Sequence, residues 1–97
     1  MKVELPPSTV DALAAGRAAF AEGHYAEALY HFGQVIAADA GSAWGWHGRG
    51  DALQLLGAHE DARDAYDTAA SLQPGEPLHA AGAARARRSL REKAQEG

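Results

Sequence analysis

One spacing limits what this chain can become. The stretch Trp46–Pro74 places small residues at Gly50, Gly57, Ala62 and Ala69, aromatic residues at Trp46 and Tyr66, and a closing Pro74. The same skeleton stands 34 residues upstream: Gly16 lies under Gly50, Gly23 under Gly57, Ala28 under Ala62 and Phe32 under Tyr66. A fixed period of that length is the mark of stacked helical hairpins, each burying its apolar face against the next.

Composition agrees with helices. Alanine fills 24 of the 97 positions and Ile36 is the one isoleucine, a mix that favours helix over strand. The length fits one small domain with a modest core. The chain has no cysteine, which excludes a disulfide framework, a thiolate metal site and a cysteine nucleophile. It has no asparagine either, and so no N-glycosylation acceptor. The amino terminus, MKVELPPS, has no apolar signal region. No apolar run reaches the length of a membrane span. A soluble, cytoplasmic protein is the expectation.

Turn signals cut the chain into five helices. Pro6 and Pro7 predict an extended lead-in over 1–8. Ser8 or Thr9 caps the first helix, with Asp11 in the first turn where the helix dipole favours negative charge. That helix runs to about Glu22, and Gly23-His24 makes the turn. The second spans Tyr25 to Ala38, with Ala28, Leu29, Phe32, Val35 and Ile36 on one stripe. Ser42 caps the third, Ala43 to Leu56, which ends at Gly57. The fourth spans His59 to Leu72. Pro74-Gly75-Glu76-Pro77 stops it and starts a fifth, Pro77 to Gln95. Short loops predict antiparallel neighbours.

These residues resemble the tetratricopeptide repeat, a 34-residue helix-turn-helix unit. The small eighth position falls on Gly16, Gly50 and Ala84. The turn glycine is Gly23 and Gly57, the second small position Ala28 and Ala62, the large one Phe32 and Tyr66, and the closing proline Pro74. The first unit lacks the tryptophan, the leucine and the proline, and the second has Arg49 and His59 where an apolar residue and tyrosine are usual. The resemblance implies an all-α fold: a right-handed repeat array (α-solenoid) of five antiparallel helices. Its parts are units at 9–42 and 43–76 and a C-terminal capping helix at 77–97. The small residues would let paired helices approach, and Phe32 and Tyr66 would fill the wedge between units.

In the resembled family the first helix of each unit lines a groove for a peptide or partner helix. The positions that inherit this role are Val10, Leu13, Arg17 and Phe20, then Trp44, His47, Asp51 and Gln54, then Leu78, Ala81, Arg85 and Arg88. The sharpest candidates are Leu13, Arg17, Phe20, Trp44, His47, Asp51, Arg85 and Arg88. Trp and Arg are enriched at binding hot spots, and arginine forks suit carboxylates. The implied function is a non-catalytic adaptor for a protein or peptide with an acidic group and an apolar anchor. A basic clamp for acidic chaperone tails is absent: at Leu13, Arg17, Gly48, Leu78 and Gly82 only Arg17 is basic.

His47 and Asp51, at i and i+4, read as a structural pair on a wet helix face. His24, His31, His59 and His79 show no metal spacing, and no phosphate loop or nucleophile context occurs. No enzyme activity, cofactor or metal is expected.

Charge supplies the rival reading. Residues 1–76 hold four basic and eleven acidic side chains, a net of -7, whereas 77–97 hold five and two, a net of +3. The run Arg85–Arg91 would serve an anionic partner such as nucleic acid. The acidic body and the lack of interleaved aromatics disfavour that. Pairing with Glu60, Asp61, Asp64 and Asp67 is the simpler expectation. A self-assembling unit, associating through the uncapped first helix pair, is the third alternative.

Overall fold

The same two local motifs recur at the 34-residue spacing and bound the first helix of each unit at both ends. A computed structural model describes residues 8–96; the extended lead-in expected over 1–8 lies, except for Ser8, outside them. The helices are α1 (Thr9–Ala21), α2 (Tyr25–Ala38), α3 (Ala43–Leu55), α4 (His59–Leu72) and α5 (Pro77–Glu96). No strand occurs among the described residues.

The first helix of each unit starts on a serine. Ser8 Oγ accepts from the Asp11 amide at 3.1 Å, and Ser42 Oγ accepts from the Gly45 amide at 3.1 Å. Each satisfies an amide that the helix itself leaves unpaired. Both first helices then end on a left-handed glycine, Gly23 at φ 82° and Gly57 at φ 85°. The Gly23 amide donates to Phe20 and the His24 amide to Ala19; Gly57 and Ala58 repeat this onto Gln54 and Leu53. This is the Schellman arrangement, which closes the last carbonyls and turns the chain sharply. α2 and α4 follow at once and carry no side-chain cap.

Successive helices pack as antiparallel neighbours. α1 also touches α3, and α3 touches α5, whereas no Cα of α2 comes within 8 Å of one in α4. The first-helix layer is therefore closed and the second-helix layer splayed, which curves the array toward α1, α3 and α5.

Two aromatic rings set the spacing between units. Phe32 is 2% exposed and lies between glycines of two different helices. A methyl group added at Gly16 of α1 would stand 2.7 Å from its ring, and one at Gly48 of α3 would stand closer still. Tyr66 is fully buried between Gly50 of α3 and Gly82 of α5, where added methyls would stand 2.9 and 2.5 Å from it. Contacts that short do not occur, so only glycine admits the rings. Phe32 and Tyr66 are the wedges that the sequence implies. The facing plates need correcting, however: Gly48 and Gly82 join Gly16 and Gly50, while Ala84 is exposed. Alanine fills the remainder of the core, with Ala28, Ala52, Ala62, Ala69 and Ala86 at 0% exposure. Such small side chains allow close helix axes.

Candidate functional site

The concave side carries a cavity of about 250 Å³ at the junction of α1, α2 and α3. Arg17, Phe20, Phe32, Trp44, His47, Gly48 and Asp51 line it. Its floor follows from the ring spacing: with no side chain at Gly48, the Phe32 ring reaches the surface of the trough. Its walls come from α1 and α3, one turn from those plates.

Arg17 projects from α1 with its guanidinium carbon 6.0 Å from the Trp44 ring centre, within cation–π range. Among the described residues, no carboxylate oxygen lies within 4.0 Å of it. Phe20 stacks at a tilt on Tyr25, with centroids 5.3 Å apart. Trp44 stands edge-on to His47 at 5.2 Å and tilted to His79 at 4.7 Å.

Behind the cavity runs a chain of polar contacts. Gln73 Oε1 is 2.8 Å from His79 Nε2. His79 Nδ1 is 2.9 Å from His47 Nδ1, and His47 Nε2 is 3.4 Å from Asp51 Oδ2. Asp51 accepts a short hydrogen bond from the Tyr66 hydroxyl. An Arg85 nitrogen lies 3.7 Å from Asp51 and donates to the Tyr66 oxygen at 3.3 Å. Burial pushes the Tyr66 phenol well above its ordinary pKa, and the hydrogen bond to Asp51 adds to the shift. His47 is held below the usual histidine range, first by burial. Asp51 opposes this shift, while His79, Arg85 and Arg17 reinforce it. Every buried side-chain polar atom among the described residues has a partner.

The sequence-predicted groove residues divide by place. Arg17, Phe20, Trp44, His47 and Asp51 line one cavity. Arg85 joins it through Asp51 and by lying 6.0 Å from the Tyr66 ring centre. Leu13 packs instead against the core cluster of Ala19, Ala28, Phe32 and Ala52. Arg88 is exposed and does not line the cavity. The wet face expected for His47 and Asp51 needs correcting, because their side chains are only 15% and 27% exposed. α5 covers them. Of the acidic partners expected for the basic run, Asp67 binds Arg87 through both oxygens at 3.0 Å. Asp64 pairs with its own neighbour, Arg63.

Sequence reasoning missed His79, which is 0% exposed. The repeat register held a signal for it. His79 occupies the place of Gly45 one unit later, and Gly45 abuts Val35. The counterpart of Val35 is Ala69. The register thus exchanges valine and glycine in one unit for alanine and histidine in the next, and both Ala69 and His79 are 0% exposed. Among the described residues no cluster of three potential metal ligands forms, and no helix is long and apolar enough to cross a membrane.

The family model described as tetratricopeptide repeat matches residues 19–87, well over half of the chain. No curated protein matches it.

Proposed function

The chain belongs to the tetratricopeptide repeat family, whose repeats generally mediate protein–protein interaction, and from that footing we propose that it is a non-catalytic adaptor. Its trough takes a peptide or helix of a partner protein, with one apolar side chain in the cavity beside a carboxylate on Arg17. The observation that carries this reading is a guanidinium set over the tryptophan wall of an aromatic cavity, with no carboxylate within 4.0 Å among the described residues. Desolvated aromatics beside arginine are the residue types that dominate binding energy. Asp51 argues against an acid–base role, since Tyr66, Arg85 and His47 already occupy it. The basic-helix reading loses force because Arg85 and Arg87 are engaged by Asp51 and Asp67.

Self-association remains a second reading, and one observation favours it. The outer face of α2 carries an open depression lined by Ala26, Leu29, Tyr30, Gly33 and Ala37. The matching positions of α4 are Glu60, Arg63, Asp64, Asp67 and Ser71. A monomer at high micromolar concentration by light scattering refutes it.

The test of the adaptor is selection of displayed peptides on the full chain, followed by titration into a variant carrying Trp44→Ala and Arg17→Glu. Selected peptides should pair an apolar residue with a carboxylate. The variant should bind them about thirtyfold less tightly, the loss of a hot spot of about 2 kcal/mol, with helicity unchanged. Equal binding by the variant, or shifts confined to Arg88 and Arg91, refutes the trough.

A further inference from the structure

The two seams of the first-helix layer share a buried ring, Phe32 in one and Tyr66 in the other, and differ in their polar contacts. α1 meets α3 through apolar packing on the Phe32 ring and through Arg17 on Trp44. α3 meets α5 through three polar bridges: His47 to His79, Asp51 to Arg85, and Gln54 to Ser89 at 2.9 Å. The first of these is buried and titratable.

Two imidazoles whose Nδ1 atoms stand 2.9 Å apart must share one proton between those atoms, because one has to donate and the other accept. Two protonation states satisfy the whole chain of contacts. In the neutral pair, His47 Nε2–H donates to Asp51, His79 Nδ1–H donates to His47, and the Gln73 amide turns its NH₂ toward His79 Nε2. With one added proton, both His47 nitrogens donate, to Asp51 and to His79, and His79 Nε2–H donates to the Gln73 carbonyl. A second added proton sets N–H against N–H at that distance.

We propose that His47 and His79 form a latch that holds α5 against α3 with no more than one added proton and releases it with two. The surroundings reinforce the limit. Of the charged and titratable groups facing His47, α1 contributes Arg17, α3 Asp51, α4 the Tyr66 phenol and α5 Arg85 beside His79. One carboxylate therefore faces two arginines, and Asp51 is already shared with Arg85. His79 is 0% exposed, so its ring nitrogens have only His47 and Gln73 as partners. The depressed pKa of His47 points the same way. The latch does not depend on what occupies the trough, although His47 belongs to both.

Linkage gives the size. Free histidines each take a proton near pH 6.5, so from about one pH unit below that value the released pair binds about one proton more than a docked pair that keeps one. In that acid range the docking constant of α5 falls with a slope that approaches about tenfold per pH unit, or about a hundredfold if the docked pair keeps none. α5 touches α3 and α4 and neither α1 nor α2, so it can open without unpacking the first unit.

The experiment is NMR of the full chain between pH 7.5 and 5.5, following the imidazole nitrogens and the amide protection factors. At neutral pH the two rings should show complementary Nδ1 states, one protonated and one bare. Toward pH 5.5 protection in α5 should fall with a slope approaching about tenfold per pH unit or steeper, while α1 and α2 keep theirs. His79→Gln retains an amide partner for His47 without a second imidazole and should flatten this dependence; His31→Gln should leave it intact. Both rings fully protonated under a protected α5, or an unchanged slope in His79→Gln, overturns the proposal. If His79→Gln does not fold, the wild-type ring and amide data decide the matter alone.

Discussion

Gly48→Ala and Gly33→Ala make the same chemical change in the interiors of two neighbouring helices and should move stability in opposite directions. A glycine inside a helix costs about 0.5–1 kcal/mol relative to alanine, so each substitution begins with that gain. At Gly33 the added methyl meets nothing within 4 Å, and the gain should be kept. At Gly48 it would stand 2.5 Å from Phe32 Cδ1 and 2.6 Å from Cζ. The ring cannot retreat, because the Gly16 backbone backs its other face, where a methyl would stand 2.7 Å away. Either α3 moves off α1 or Phe32 leaves its 2%-exposed site. Overpacking of this kind costs about 1–3 kcal/mol. The net loss for Gly48→Ala is then about 0.5–2 kcal/mol, which lowers Tm by about 2–16 °C in a domain of this size. Urea unfolding followed by far-UV circular dichroism measures both variants, with the slope checked for constancy. Combining Gly48→Ala with Phe32→Leu should show a favourable coupling of about 0.5 kcal/mol or more. A Gly48→Ala chain that gains as much stability as Gly33→Ala refutes the claim that the ring needs a bare backbone on both sides.

Gly57→Ala should cost about 0.5–1.5 kcal/mol, since φ 85° penalises a Cβ by about 1–2 kcal/mol and the stiffer unfolded chain returns part of it. Gly75→Ala, in open space without a positive φ, should cost nothing by the same urea assay. Tyr66→Phe removes a hydrogen bond to a carboxylate and should cost about 1.5–3 kcal/mol at neutral pH. Because the folded pKa of Tyr66 is raised above its unfolded value, near 10, its contribution is complete below that pH and is lost as pH rises past it. Urea midpoints between pH 8 and 11 should thus fall more steeply for wild type than for Tyr66→Phe, and parallel curves refute the assignment.

Helix boundaries were legible because they are written locally. Ser8, Ser42, Gly23 and Gly57 act through hydrogen bonds to residues within five positions of themselves. The wedge role of Phe32 and Tyr66 was legible from the period together with the resemblance. Gly48 and Gly82 were harder, because a glycine in a helix does not say which neighbour needs the room. Their plates face rings 16 residues upstream, across a unit boundary. The polar chain behind the cavity was hidden for a related reason. His47 reads as surface from its own helix, and only α5, laid alongside, turns that face inward. His79 reads as polar and is buried because Gln73 and His47 supply partners for both of its nitrogens. The size exchange between Val35–Gly45 and Ala69–His79 was available in the register, but it becomes a signal only once the stacking is known.

The clamped rings have a dynamic consequence. A phenyl ring turning about its own axis sweeps out a wider slot than it occupies at rest, and Phe32 rests between two backbones with no side chains to yield. Each half-turn therefore requires α1 and α3 to part momentarily. The flip rate of Phe32 is thus a clock for breathing between the repeats, readable from its aromatic resonances. A ligand that draws Arg17 and Trp44 together across the same seam should slow that clock without touching the ring.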